Sequence, residues 1–369
     1  MKIGILTFHH VTNYGATLQA CALWTFLNSQ GYDVEIIDYR PLKIVWKYLR
    51  PLIPLKKPEK IFVNIPRAWK MRRFLLSLVK LSPKKFYDKK GLEYYRDKYD
   101  VVICGSDQVW CLDSFRGFDS AFFLDFINKE TTRKISYAAS FGNTVKLGNY
   151  RETISNLIAQ FETILVRDSN SANIINNECN QKAIKVLDPT FLIEYDKIKT
   201  PPKIPGKYIL LYFHDEIEPK EAEFIKSLAK SENLTIVSVD EPKEIAQINL
   251  ESASPKEWLG LFSEASYIAT NTFHGTIFSI IFQKPFNVFL RSDKQNKVAD
   301  LLKNLNLENR IFSFNEQPTR EETFDIDYAS VSKILDSKIL ESKQHLLQAI
   351  SPQTSNDYTS KAVLNQELK

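Results

Sequence analysis

Long apolar runs are missing from this chain. No stretch of about eighteen apolar residues occurs in its 369 residues, so nothing in it reads as a membrane-spanning helix. The opening MKIGILTFHHVTNYG turns polar too early for a secretory leader. Cysteine is sparse: Cys21, Cys104, Cys111 and Cys179 stand apart with no Cys-x-x-Cys pair. That excludes a disulfide scaffold and a structural zinc site, and it fits a reducing compartment. The expectation is a soluble cytoplasmic protein. The Gly-x-Gly-x-x-Gly fingerprint of dinucleotide sites is absent, as is any short fixed-period repeat. Histidine offers no cluster. The adjacent His9 and His10 are expected to point to opposite sides of a strand end, with no cysteine or carboxylate nearby to complete a metal site. No metal and no cofactor are expected.

Packable residues and charge are plentiful. A 44% hydrophobic content with 24 Phe and 16 Tyr supplies large cores, and this length favours two domains over one. The net charge of +5 is unevenly spread. Residues 40–90 hold 16 Lys and Arg against Glu59 and Asp88 alone, so the remainder is net acidic. Nucleic-acid binders carry their charge on the folded domain itself, so no nucleic-acid partner is expected.

Hydrophobic patterning alternates between strands and helices. KIGILTF reads as a strand, ATLQACALWTFLNSQG as a helix with Ala16, Ala20, Leu23 and Leu27 on one face, and DVEIIDY as the next strand. Gly31 suits the helix C-terminus. The basic segment then interrupts the pattern. Strands resume at DVVICGSDQVW, RKISYAASFGN, FETILVRDSNS and AIKVLDPTF. Each ends in polar residues, at Ser106-Asp107, Ser140, Arg167-Asp168-Ser169 and Asp188, and a parallel sheet brings such ends to one edge. TPPKIPGK, 200–207, reads as a hinge. Beyond it, a helix near Lys220 to Ser231 and a Ser254-Pro255-Lys256-Glu257 capping box belong to a second α/β pattern. The fold class expected is α/β, with two Rossmann-like doubly wound domains facing a cleft in a GT-B-like arrangement. The N-terminal domain covers 1–200 with a basic insertion at 40–98, the C-terminal domain 201–350, and a polar tail 351–369.

Six motifs stand in a telling order: GILTFHHVTNYGATLQA, VVICGSDQVW, YAASFG, VRDSNSA, VLDPTF and TNTFHGTIFSIIFQKPF. Together they resemble the polysaccharide pyruvyl transferases, over about Met1 to Arg310. The resemblance implies transfer of a pyruvyl group from phosphoenolpyruvate to two hydroxyls of a sugar. A cyclic ketal forms on a surface or capsular polysaccharide, or on its lipid-linked precursor, and phosphate leaves. One departure stands out. Well-studied members carry Arg-Leu-His where this chain has Thr272-Phe273-His274, so an arginine is missing two residues before the histidine.

Ketal formation needs a group that gives and takes protons near neutral pH, with positive charge for a phosphate and a carboxylate. His274, at a strand-to-helix turn, is the acid/base candidate, and the positive helix end is expected to lower its pKa. Gly275 is expected to let a donor approach the helix amides, with Thr276 beside it. Arg167, from an Arg-Asp-x-x-Ser pattern, is the donor-binding candidate, and Arg291 the substitute for the missing arginine. Asp107 is the candidate to orient or deprotonate an acceptor hydroxyl. Asn13, Tyr14, Gly15 and Ser140 are expected to line the acceptor side. A nucleotide-sugar glycosyltransferase of the same fold, or a non-catalytic carbohydrate-binding protein, are the competing readings. Residues 40–90, with cations interleaved among Trp46, Tyr48, Leu49, Trp69 and Phe74, also read as a peripheral membrane contact or as a helical hairpin packed on the N-terminal domain.

Overall fold

Two all-parallel sheets organise the chain, in a computed structural model that describes residues 1–50, 58–290, 295–312 and 319–351. The first runs β1 (Lys2–Leu6), α1 (Tyr14–Ser29), β2 (Asp33–Tyr39), α2 (Leu42–Leu49), α3 (Ile61–Leu78), β3 (Leu81–Phe86), α4 (Lys89–Leu92), β4 (Val101–Cys104) and β5 (Arg133–Ala139). It continues through α5 (Arg151–Ile158), β6 (Thr163–Val166), α6 (Ser169–Glu178) and β7 (Ala183–Lys185). Its order is β3-β2-β1-β4-β5-β6-β7. The second comprises β8 (Tyr208–Tyr212), α7 (Pro219–Ser231), β9 (Thr235–Val239), β10 (Ile248–Leu250), α8 (Pro255–Glu264), β11 (Tyr267–Thr270), α9 (Phe273–Ile281) and β12 (Phe286–Val288). Its order is β10-β9-β8-β11-β12. The helices α10 (Gln295–Lys303), α11 (Arg320–Phe324) and α12 (Tyr328–Ile350) follow.

Apolar β-branched strands explain the central positions. Ile3, Ile5, Val101 and Ile103 on β1 and β4 are fully buried, as expected where helices cover both faces of a parallel sheet. The basic segment contains one strand that the sequence pattern hides. LSPKKF forms β3 at the sheet edge, where Pro83 costs no ladder bond and Lys84 and Lys85 face water.

The two sheets lie on either side of residues 200–207, whose first residue is anchored to the second half. Thr200 donates its amide to the Lys256 carbonyl at 2.9 Å. A Cβ on Gly260 of α8 would come within 1.8 Å of the Thr200 oxygen, so only glycine permits this approach. The last helix crosses back to pack against β5 and β6. Arg133, at the start of β5, donates to the carbonyls of Ala349, Ile350 and Ser351 at 2.7–3.0 Å, placing a cation on the negative end of α12. The other end is capped by Asp327, whose carboxylate accepts the Ser330 amide at 3.1 Å. A shared apolar cluster crosses the boundary: Tyr14 of α1 stacks on Trp258 of α8 with centroids 5.4 Å apart and donates its hydroxyl to the Ala253 carbonyl at 2.7 Å.

Candidate active site

The carboxyl ends of β1, β4, β5 and β6 face the carboxyl ends of β8 and β11 across a cleft of about 250 Å³. Asn13, Asp107, Asn143 and Arg167 line it from the first sheet, and Tyr212, His214, Asn271 and His274 from the second. Parallel strands bring these sequence-distant loops to one edge, as the polar strand ends foretold.

His274 stands in the first turn of α9. Thr272 caps the helix by accepting the Gly275 amide at 2.9 Å. The imidazole is nearly enclosed, and its Nε2 has no hydrogen-bond partner; the closest ionic neighbour is Asp188 Oδ2 at 3.8 Å. Burial, the largest cause, pushes its pKa down to about 4, while Asp188 opposes the shift. The expected lowering is present, but lost hydration causes most of it rather than the helix end. The ring lies against α1. A Cβ on Gly15 would sit 2.0 Å from His274 Nδ1, so the helix starts of both halves can meet only over a glycine.

Arg167 follows β6 and is buried. Its Nη1 donates to Asp188 Oδ2 at 2.8 Å, and its Nη2 lies 3.8 Å from Asp107 Oδ1. Asp188 also accepts from Ser106 Oγ at 3.0 Å and from Thr190 Oγ1 at 2.7 Å. Against the opposing effect of burial, His274 and the bonded Arg167 hold the Asp188 carboxyl below its usual range. Burial likewise pushes Asp107 up, but Arg167, His274 and Arg116 outweigh it, so Asp107 is ionised at neutral pH. Asp107 has φ +87°, a conformation that aspartate tolerates better than most residues.

Other expected positions fall differently. Ser140 is buried beneath the cleft, donating to Asp168 Oδ2 at 2.5 Å and accepting the Gly142 amide at 2.9 Å. Tyr14 is wholly buried in the packing between halves. Gly275 does not open the helix amides to a ligand. Its own amide is taken by Thr272, and a Cβ there would meet Thr270 Oγ1 at 2.1 Å. Thr276 turns its hydroxyl back to the Thr272 carbonyl at 2.9 Å. Arg291 lies outside the described residues. His9 and His10 do not diverge: their rings stand 5.3 Å apart and line one separate cavity.

Sequence reading missed Lys297 and Asp188. Lys297, on α10, reaches the cleft with its Nζ 5.9 Å from the centroid of the Phe273 ring, while Arg167 Cζ lies 4.5 Å from the same centroid. Burial, then Arg167, lowers the Lys297 pKa to about 8. Its only sequence signal is a cation in the first turn of α10, which no local rule singles out. Asp188 was visible as a polar strand end but not as the partner of Arg167. Among the described residues no group of three or more potential ligands is placed to hold a metal ion.

A known structure shares this architecture. The UGT89C1 protein of Arabidopsis thaliana, complexed with UDP-L-rhamnose, aligns over 94% of this chain and 97% of its own, with a TM-score of 0.51 at 9% identity. UDP-GlcNAc 2-epimerase from Neisseria meningitidis, bound to UDP-GlcNAc, covers 92% of this chain and 100% of its own at a TM-score of 0.46 and 12% identity. At such identity the likeness to the Arabidopsis protein is one of fold: an α/β, GT-B-like pair of sheets facing a cleft. No curated protein matches the chain in sequence. The sequence profile described as polysaccharide pyruvyl transferase matches residues 13–293, which include the Asn13 loop, Asp107, Arg167 and the His274 turn. The chain belongs to the polysaccharide pyruvyl transferase family.

Proposed function

We propose that this protein forms a cyclic pyruvate ketal on a saccharide of a surface polysaccharide, with phosphoenolpyruvate as donor. The observation that carries the reading is the grouping of an imidazole whose Nε2 is unpartnered with two cations, buried Arg167 and half-buried Lys297, around the Phe273 ring.

In the proposed sequence a sugar hydroxyl adds to the central carbon of the enol phosphate, and the methylene carbon gains a proton to become methyl. The carbon–oxygen bond to phosphate then breaks, the second hydroxyl adds to the resulting cation, and its proton leaves with the phosphate. Neutral His274 is suited to take a proton from the attacking hydroxyl through Nε2. An anionic donor beside it raises its pKa, so the resulting imidazolium becomes a competent acid for the methylene. Arg167 and Lys297 face the donor's charge; Lys297 supplies a cation where the Arg-Leu-His pattern of the family has lost one to Thr272. Asp188 and Asp107 hold the Arg167 guanidinium in place, and Asp107, ionised and at the cleft wall, is suited to orient the acceptor.

The test is direct. The purified protein is incubated with phosphoenolpyruvate and a galactoside, and phosphate release is followed together with the methyl resonance of a new ketal. Equal release of both supports the reading. Release of neither, across a panel of sugar acceptors, removes phosphoenolpyruvate as the donor.

A further inference from the structure

The basic segment uses its cations in three ways. Arg40, Lys80 and Lys89 pair with acids of the first half. Lys60, Arg67 and Lys70, on or beside α3, reach across to the second half: Lys60 pairs with Glu251, Arg67 with Asp240, and Lys70 donates to the Ser252 carbonyl at 2.8 Å. These clamp the halves together. Lys43, Lys47, Arg50 and Arg73 stay exposed instead. They sit among large apolar side chains that a monomer has no reason to leave in water. On α2, Leu42, Trp46 and Leu49 are exposed at i, i+4 and i+7, with Trp46 at 70%. On α3, Phe62, Ile65, Trp69 and Leu76 form one stripe at i, i+3, i+7 and i+14, with Phe62 at 81%. The opposite side of α3 buries Met71, Phe74 and Leu75, so this helix is apolar on two faces and has a protein partner on one.

Between α2, α3 and the loop after β1 lies a second cavity of about 260 Å³, lined by Val45, Tyr48, Leu49, Ala68 and Met71 as well as charged groups. His9 and Arg40 of its wall are both taken by Asp38, which accepts from His9 Nε2 at 3.0 Å and from two nitrogens of Arg40 at 2.6 and 2.8 Å. Arg72 Nη1 and both ring nitrogens of His10 are buried there without partners. A buried guanidinium nitrogen without an acceptor is costly, and an anion relieves it. Apolar walls around an unsatisfied cation match an anionic head attached to hydrocarbon.

We propose that the α2–α3 face docks on an anionic phospholipid bilayer, with the exposed stripes in the interface and a lipid phosphate held by Arg72 and His10 in the cavity behind them. Charge decides the occupant. The exposed Lys43, Lys47, Arg50 and Arg73 lie in a segment, 40–90, whose only acids are Glu59 and Asp88, which repels a second copy of the same face and favours an anionic surface. The proposal stands apart from the transfer chemistry and does not depend on the donor.

Co-sedimentation of the full chain with vesicles tests it. Binding to vesicles of phosphatidylglycerol in phosphatidylcholine is expected at low salt, falling steeply as salt rises, and phosphatidylcholine alone is expected to bind far less. Each cation near such a surface is worth about fivefold in partitioning, so exchanging Lys43, Lys47, Arg50 and Arg73 together for Gln lowers binding about 600-fold. Phe62→Ser with Trp69→Ser, both exposed, lowers it with no change in melting temperature. In the cavity arm, short-chain phosphatidic acid shifts the His10 ring resonances, inorganic phosphate alone does not, and Arg72→Met abolishes the shift. A wild-type protein that stays in the supernatant at low salt overturns the proposal. So does equal binding to phosphatidylcholine, an equal resonance shift with inorganic phosphate, or a concentration-dependent dimer that Phe62→Ser with Trp69→Ser abolishes.

Discussion

At the edge of the seven-stranded sheet Arg167 is held by carboxylates through its Nη atoms, with only its Nε unpartnered; at the facing edge His274 Nε2 has no hydrogen-bond partner among the described residues. Arg167 is bonded to Asp188 and lies close to Asp107, and Asp188 is further held by Ser106 and Thr190. Such a network costs no reorganisation when charge develops beside it. A proton carrier has the opposite requirement, since its nitrogen must be free to meet a substrate. One half of the molecule is built to hold charge still and the other to exchange a proton.

The contrast breaks most sharply at His274. His274→Ala is expected to lower turnover by two or more orders of magnitude with melting unchanged at neutral pH, measured as phosphate release under saturating donor. Near wild-type turnover would leave the imidazole only a packing role. Gly15→Ala leaves every functional group in place but displaces the ring, because its Cβ falls 2.0 Å from Nδ1. A loss of about a hundredfold in kcat is expected, in line with the cost of an ångström-scale misplacement. Wild-type kcat in this variant would mean that the ring position is immaterial.

On the other side, a variant should hurt stability as well as chemistry. Arg167→Ala strands the buried Asp188 carboxylate, and a loss of about 3–5 kcal/mol is expected in denaturant unfolding, with a raised Michaelis constant for the donor. Lys297→Met, which breaks no buried ion pair among the described residues, should raise that constant about tenfold while leaving unfolding nearly unchanged. Comparable stability losses in both variants would erase the distinction between network and free cation.

The smallest effects are those of pH. His274 is buried with a pKa of about 4 against about 6.5 when unfolded, so the unfolded chain binds more protons between those values. Stability is therefore fully present above pH 6.5 and falls as pH drops toward 4; His10, pushed down to about 2, adds to the slope with the same sign. His274→Ala should flatten the acid limb of a melting curve series. At the alkaline end, Lys297 loses its proton near pH 8, so the donor Michaelis constant should rise above that pH in wild type but not in Lys297→Arg. An identical alkaline limb in both would assign it to another group.

Local rules located much of this. The Ser254 capping box forms as written, Gly31 takes φ +83° just past α1, and α9 begins at Phe273, at the expected strand-to-helix turn. These depend on a few neighbouring residues, which is why they are legible. The strand β3 was hidden because an edge strand tolerates Lys and Pro that a central strand excludes. Gly275 misled for a related reason: the sequence shows that a small residue is needed, but not that the intruding atom is a threonine hydroxyl rather than a ligand.

Alternation of apolar strands with amphipathic helices sufficed to determine a parallel α/β architecture, and parallel strands dictate that their polar ends share an edge. Which of those ends touch was decided only by tertiary packing. The pairing of Arg167 with Asp188, the seat of His274 against Gly15 and the arrival of Lys297 all join residues far apart in the chain. The same holds for α3, where one run of cations is divided into interdomain clamps and exposed charges. Helical geometry fixes which residues share a face, but the surface that the face meets belongs to another part of the fold.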